Sequence, residues 1–236
     1  MRIETFPAPG PLRLELSIPA GEIEVDAASV TEAVVELETL SGNEAAVEDA
    51  QVELRGDELT VKVKRSKAEV RLRVQAPEGS ALRAKTASGD LRTRGRLGAA
   101  EVKSASGDVS LQRVESLEAK VASGDVEVGR VDGTARVDNA SGDVELGETG
   151  GSVTVRTASG DQQVRSVEEG RIDLTSASGD ILVGIKQGSR VYIDARSMSG
   201  DVSSELELGD EAAGDDGPLV ELQVTAMSGD VEVVRA

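Results

Sequence analysis

Several residue types on which catalysis and cross-linking depend are missing from this chain. It contains no cysteine, no histidine and no tryptophan. These absences exclude disulfides, Cys/His zinc sites and any acid–base mechanism that needs imidazole. The only aromatic rings belong to Phe6 and Tyr192, so the interior must be filled by Val, Leu, Ile and Ala. Such small side chains favour a thin core between β-layers over the thick centre of a globular enzyme.

Long apolar runs and an excess of positive charge are also lacking. No stretch approaches the roughly 20 apolar residues of a membrane span, and the first residues lack the continuous apolar segment of a signal peptide. We therefore predict a cytoplasmic protein with no direct membrane insertion. The 236 residues include 44 acidic and 26 basic side chains, a net charge of −18. Such a surface repels nucleic acid at range, so we predict no nucleic-acid partner and favour basic proteins, cations or cationic peptides.

The main feature that is present is a repeat. Apolar and charged residues alternate with period two around each copy, as in Val126-Glu127-Val128, which is typical of half-buried strands. Two short strands and two turns in about 18 residues make one coil of a solenoid, and each coil is stable only against its neighbours. We therefore predict an all-β, single-stranded parallel β-helix. The repeat is the tripeptide Ser-Gly-Asp, whose glycines are Gly89, Gly107, Gly124, Gly142, Gly160, Gly179, Gly200 and Gly229.

The tripeptide is interpreted first as a structural turn. Glycine permits a corner with positive φ, and the serine and aspartate oxygens accept hydrogen bonds from backbone N–H groups that the turn removes from the ladder. Stacked corners would place the aspartates in a row, which includes Asp90 and Asp201 at its ends, and such a row either repels itself or holds cations. We predict no catalytic residue and no cofactor; the weak calcium candidates are Asp108, Asp125, Asp143, Asp161 and Asp180.

Two further positions carry predictions about the interior. The residue two places before each glycine is always small or flexible, which indicates an inward slot that widens where alanine gives way to methionine. Gln162 occupies a position that elsewhere holds Val, Leu or Ile, so we predict either local strain or a hydrogen-bonded amide there. The residues of the predicted slot are Ala87, Ala105, Ala122, Ala140, Ala158, Ala177, Met198 and Met227.

The two ends of the chain differ in regularity. Residues 1–80 alternate but lack the tripeptide, so they are either early coils with a long excursion or an antiparallel N-terminal cap. Arg55-Gly56-Asp57 is predicted as a hairpin turn between two strands. Residues 81–236 are predicted as the repeat solenoid, with an acidic loop at 209–218. Exposed terminal coils are templates for further strands, which predicts self-association through the solenoid ends.

Three segments resemble a known family. The Ser-Gly-Asp-Val-x-Val corners, the segment Ala20-Gly21-Glu22-Ile23-Glu24-Val25 and the lead-in Val74-Gln75-Ala76-Pro77-Glu78-Gly79 are similar to the bacterial β-strand-repeat family of "putative adhesin" or toastrack-like domains, whose function is unknown. The resemblance covers essentially the whole chain. It implies a right-handed parallel β-solenoid, and some relatives are associated with envelope-stress signalling.

The favoured function is a non-enzymatic scaffold or protein-interaction module, associated with envelope stress or self-assembling. A calcium-binding repeat protein is one alternative. An acidic mimic of nucleic acid is another, although basic residues such as Arg92, Arg94 and Lys103 interrupt the uniform negative face that mimicry needs. A polysaccharide-active β-helix enzyme is the third. Its carboxylates are abundant here, but the chain has no aromatic platform for a sugar.

Overall fold

The structure is a computed structural model that describes residues 1–42, 44–64, 68–206 and 217–236. It confirms the all-β prediction. Of the predicted acidic loop 209–218, only Gly217 and Pro218 fall within the described residues. The chain divides into two compact units, residues 1–124 and 125–236, which we describe separately. The division at residue 80 stays a prediction.

Unit 1 is organised around one long strand. The elements are β1 Arg2–Pro7, β2 Arg13–Ala28, β3 Glu32–Thr39, α1 Glu44–Glu48, β4 Gln51–Arg55, β5 Glu58–Lys62, β6 Val70–Pro77, β7 Ala81–Ser106 and β8 Val109–Ser123. The first half of β2 pairs in parallel with β5 and β7, and its second half pairs in parallel with β6 and β7. β7 continues the stack by pairing in parallel with β8.

The level formed by β5 and β6 is flanked by antiparallel strands. β4 pairs with β5, β3 pairs with β6, and β1 pairs with β3. The β4–β5 connection confirms the predicted hairpin turn, with Gly56 at φ 63° and Asp57 accepting a hydrogen bond from Arg13 Nη2 at 2.7 Å. The short helix α1 packs against β3 and buries Ala46 and Val47. Residues 1–80 thus contain both a parallel level and an antiparallel edge.

Unit 2 consists of two columns of parallel strands. The strands are β9 Val126–Val131, β10 Ala135–Ser141, β11 Val144–Thr149, β12 Val153–Ser159, β13 Gln162–Val167, β14 Gly170–Ser176, β15 Ile181–Ile185, β16 Arg190–Ser197, β17 Val202–Ser204, β18 Leu219–Ala226 and β19 Val231–Arg235. One column runs β10, β12, β14, β18, β16, and the other runs β9, β11, β13, β15, β19, β17. A level is one strand from each column.

The order of levels in unit 2 departs from the order of the chain at one end. Val126, Val144, Gln162 and Ile181 follow one another in register, as the repeat spacing predicts. The next level, however, comes from the last strands of the chain, because β18 pairs with both β14 and β16 and β19 pairs with both β15 and β17. The final Ser-Gly-Asp therefore lies between the corners at Gly179 and Gly200.

The predicted alanine slot was wrong. Each alanine two places before a corner glycine is exposed, and so are the methionines at the equivalent positions, Met198 at 83% and Met227 at 57%. The reason is the strand's alternation. In β12, Val153, Val155 and Thr157 point inward, so Ala158 must point outward. The inward residue is the one before the alanine, and it is often polar.

Gln162 is a buried polar residue within this apolar interior. It is 1% exposed, and its Nε2 donates to Thr157 Oγ1 and to the Thr175 carbonyl, both at 2.8 Å. The prediction of a hydrogen-bonded amide is confirmed. Its Oε1, by contrast, is buried without a hydrogen-bond partner in the described part of the chain. An unsatisfied acceptor of this kind costs free energy that the amide's two donated bonds offset only in part.

We expect Gln162→Leu to leave the free energy of unfolding within about 1 kcal/mol of the parent, because leucine fills the same space and removes the orphaned oxygen. Gln162→Ala should cost about 2–4 kcal/mol because it leaves a cavity. Urea unfolding followed by circular dichroism measures both. If the leucine variant were the less stable of the two, the amide's hydrogen bonds would matter more than the packing.

Candidate interaction surface

The Ser-Gly-Asp corner is the most regular feature of both units. Seven of its eight glycines have φ between 119° and 147°, and the exception is Gly89. Close stacking imposes a second restriction. A Cβ on Gly160 would lie 2.1 Å from the Gly142 carbonyl oxygen, and one on Gly89 would lie 2.6 Å from the Gly21 carbonyl oxygen. The corner needs glycine because each level's backbone lies directly against the next.

The aspartates of the corner form a hydrogen-bonded ladder. Each described rung is a backbone N–H that donates to the Oδ1 of the aspartate on the neighbouring level, at 2.8 to 3.1 Å. The glycine N–H points the other way, as when Gly160 donates to the Ser178 carbonyl at 3.0 Å. The carboxylate therefore supplies an acceptor for a backbone group at the turn. The rungs, donor first, are Asp108–Asp90 in unit 1 and Asp143–Asp125, Asp161–Asp143, Asp180–Asp161, Asp230–Asp180 and Asp201–Asp230 in unit 2.

This ladder places the predicted calcium candidates. Asp125, Asp143, Asp161 and Asp180 form one continuous row in unit 2, and Asp108 pairs with Asp90 in unit 1. The sequence order predicts that Asp201 follows Asp180 in the row, but in the structure Asp230 lies between them. Among the described residues, no group of three or more acidic side chains is arranged to hold a metal ion. The calcium interpretation stays a prediction.

A different feature, the last level of unit 2, has the character of a docking surface. We call it the open level and define it as residues 190–204, which include β16 and β17. Within the described ranges, β16 pairs only with β18 and β17 only with β19. Val202 is 48% exposed although Val231, its partner in register, is fully buried. The open level thus has an apolar inner side that no further level covers within the described residues.

The outward side of the open level is also apolar in part. Tyr192 is 69% exposed, and Met198 is 83% exposed at the corner of the same level. Met227, on the adjoining level, is 57% exposed. Large exposed apolar side chains beside an unpaired strand edge are typical of interaction sites. Tyr192 is also the only tyrosine in the chain.

Unit 1 carries a groove of another kind. It has a volume of about 560 Å³, and charges alternate across the four paired strands that form its floor. Arg73 Nε lies 2.9 Å from Glu24 Oε2, and just beside the groove a hydrogen bond from Arg71 lowers the pKa of Glu22. The acidic and basic side chains of this face neutralise one another, so the face is not uniformly acidic. In register, the alternating residues are Glu36, Arg73, Glu24 and Arg92.

Comparison with known proteins gives one family model and several solved structures that this chain resembles. The family model described as Toastrack DUF4097 matches residues 13–234. A crystal structure of a "putative adhesin" from Bacteroides fragilis has a TM-score of 0.53 and 13% identity, covering 98% of this chain and 96% of its own. A "putative adhesin" from Parabacteroides distasonis has a TM-score of 0.46 and 15% identity, covering 98% and 97%. No curated protein matches the chain. In the described ranges, no helix has the length and hydropathy to cross a membrane.

The corner geometry predicts a sharp contrast between two glycines. Gly160→Ala should cost about 3 kcal/mol or more, because the new Cβ collides with the backbone of the next level and φ is unfavourable. Gly188 also has a positive φ, 84°, but its Cβ would meet nothing within 4 Å, so Gly188→Ala should cost only about 1 kcal/mol. Urea unfolding of the two variants tests this. Equal losses would show that φ alone, and not stacking, requires glycine.

The ladder predicts that an acceptor matters more than a charge. Asp161→Ala removes the acceptor of the Asp180 N–H and should cost about 1 kcal/mol. Asp161→Asn keeps an oxygen acceptor and removes one negative charge from a row of like charges, so its stability should stay within about 0.5 kcal/mol of the parent. Thermal and urea unfolding give both values. An asparagine variant as unstable as the alanine variant would contradict the acceptor role.

Proposed function

Since this chain belongs to the toastrack family, we propose that it is a non-enzymatic protein-interaction module that binds through the open level of unit 2. The observation that supports this most is the unpaired edge of β16 together with the exposed side chains of Tyr192 and Met198. A strand edge offers backbone hydrogen bonds to an extended segment of another chain, and neighbouring apolar side chains add contact area.

In the part of the chain that the structure describes, one edge of the β16 backbone pairs with β18 and the other edge has no strand partner. Arg190 N–H donates to the Pro218 carbonyl and Met198 N–H to the Ala226 carbonyl, at 2.8 and 3.1 Å. Successive peptide groups in a strand point to opposite sides. The N–H groups of the odd-numbered residues between them therefore point away from β18. These are Val191, Ile193, Ala195 and Ser197, which form the edge that a partner strand would pair with.

The inner side chains of the open level would become more buried if a partner strand bound there, which favours binding. Ile193 and Ala195 are in register with Leu222 and Val224, which are each 1% exposed, whereas Ile193 and Ala195 themselves are only half-buried. An added strand would cover them as β16 covers β18. Burying apolar area in this way contributes about 25 cal/mol per Å² before the cost of ordering the partner is subtracted.

A synthetic peptide of residues 219–226 tests strand addition directly, because this sequence already pairs with β16 in the fold. We expect the labelled peptide to bind the dilute protein in a fluorescence anisotropy titration. Ala195→Pro removes an N–H that points away from β18 and leaves the hydrogen bonds between β16 and β18 in place. It should weaken peptide binding about tenfold or more.

Two controls accompany this titration. A peptide with proline at its central positions should not bind, because it cannot continue a ladder. A variant at a paired strand, Ala135→Gly in β10, leaves the open level intact and should bind the peptide as the parent does. Absence of peptide binding to the folded parent protein at millimolar concentration would refute the proposed function.

The remaining sequence-based interpretations were not tested. The cytoplasmic location, the association with envelope-stress signalling and the absence of nucleic-acid partners stay predictions, and so do the calcium-binding, nucleic-acid-mimic and polysaccharide-active alternatives. Self-assembly through a solenoid end is the one that the open level supports with specific residues.

A further inference from the structure

We propose that the strand added to the open level is β16 of a second copy of this chain, paired antiparallel about a two-fold axis that passes between the two Ala195 residues. This inference rests on the proposed function and names its partner. It predicts a closed dimer and not a filament.

The outward face of β16 is complementary to itself in one register. Tyr192, Asp194, Arg196 and Met198 alternate with the inward residues and therefore share this face. When Ala195 lies opposite Ala195 of the copy, Asp194 faces Arg196 of the copy and Tyr192 faces Met198 of the copy. The two-fold axis repeats each contact, which gives two ion pairs and two sulfur–aromatic contacts.

The neighbouring registers lack this complementarity. Centring the axis on residue 194 would place two aspartates opposite each other, and centring it on residue 196 would place two arginines opposite each other. Like charges directly across a strand pair are destabilising. In the monomer, Asp194 and Arg196 already pair along the strand, with Nε to Oδ1 at 3.0 Å. The dimer would exchange the two intrachain pairs, one in each copy, for two equivalent pairs across the interface.

The backbone fits the same register. The N–H and carbonyl groups that point away from β18 belong to the odd-numbered residues. The two Ala195 residues would therefore donate to and accept from each other, forming two backbone hydrogen bonds. Ile193 would do the same with Ser197 of the copy. Their inner side chains would also meet, covering Ile193 and Ala195 from the side that is open in the monomer.

A head-to-tail arrangement has no comparable receptor. The end level of unit 1, formed by β5 and β6, is flanked by β3, β4 and α1, and its Leu59, Val61, Leu72 and Val74 are at most 1% exposed. Of these two end levels, the open level is the one whose inner residues, Ile193 and Ala195, are only half-buried beside an unpaired edge in the described part of the chain. A contact of one surface with itself is isologous and closes at two copies.

Charge exchange across the two-fold axis tests the register. In sedimentation-equilibrium runs at about 0.15 M salt, where screening reduces repulsion between the acidic copies, the parent should show a concentration-dependent monomer–dimer equilibrium. Asp194→Arg and Arg196→Asp should each weaken the dimer about tenfold, because each creates two like-charge contacts. The double variant Asp194→Arg/Arg196→Asp should restore the parent's dissociation constant to within about threefold.

A matched control comes from β10, where Arg136 and Asp138 form the same pair two residues apart at 3.4 Å. Asp138→Arg should leave dimerisation unchanged. Because these side chains lie on the outward face, unfolding curves should show every variant folded. A parent that stays monomeric at all concentrations, or a dimer that the single exchanges do not weaken or the double exchange does not restore, would overturn the inference. If the peptide of residues 219–226 binds such a monomer, the proposed function stands and only the second copy is refuted.

Discussion

The close contact between glycine backbones at the Ser-Gly-Asp corner is the constraint on which the rest of this structure depends. Parallel levels can stack only if the chain turns without a side chain between one corner and the next, and the carbonyl of Gly142 lies where a Cβ of Gly160 would be. The aspartate then supplies the acceptor that the turn removes from the ladder. Because each level that carries the tripeptide meets its neighbour at this point, the corner fixes the register of the strands on both sides of it. Registers of 18 and 19 residues, as in Val126–Val144 and Gln162–Ile181, follow from it.

Register in turn decides what lies inside. A shift of one residue would move every apolar side chain of a strand to solvent, so the corner and the alternation must agree. They agree throughout β9, β11 and β13, where the residue after each aspartate is buried. Gln162 shows that this inward position can hold a polar residue without a change of register. It keeps its inward position, and two neighbouring oxygens accept from its amide.

The sequence was sufficient for the strands, the corners and the parallel stacking, because a repeat with a two-residue alternation has few other ways to bury its apolar face. It was misleading about the alanines. Counting backward from Gly160 suggested an inward Ala158, but the phase of alternation is set within the strand and is not carried through a turn. The order of the last two levels was beyond the sequence for another reason. All corners offer the same contacts, so nothing in the repeat itself specifies that Gly229 stacks on Gly179.

The open level illustrates why a site at the end of a stack is difficult to find from sequence. Which repeat is terminal depends on spatial order, and the chain's last repeat is not the terminal one. One sequence signal does exist. Ser204 occupies the position that Val233 holds on the next level, so the arm after the Gly200 corner has lost its second apolar residue. A level with a weaker inner face is better suited to the end than to the middle.

The position of β18 and β19 inside the stack, and not at its end, affects the local stability of the end of unit 2. β19, the last strand of the chain, lies between β15 and β17, so the terminal segment is held on both sides. The exposed position falls instead to β16 and β17, an internal segment that has strand neighbours on one side only among the described residues. Local opening is least costly where contacts are fewest, so of the described levels of unit 2 we expect the open level to unfold locally most readily. Any chain that binds the edge of β16 supplies the missing neighbours and stabilises the open level by mass action. The open level is therefore better ordered when its edge is occupied than when it is free.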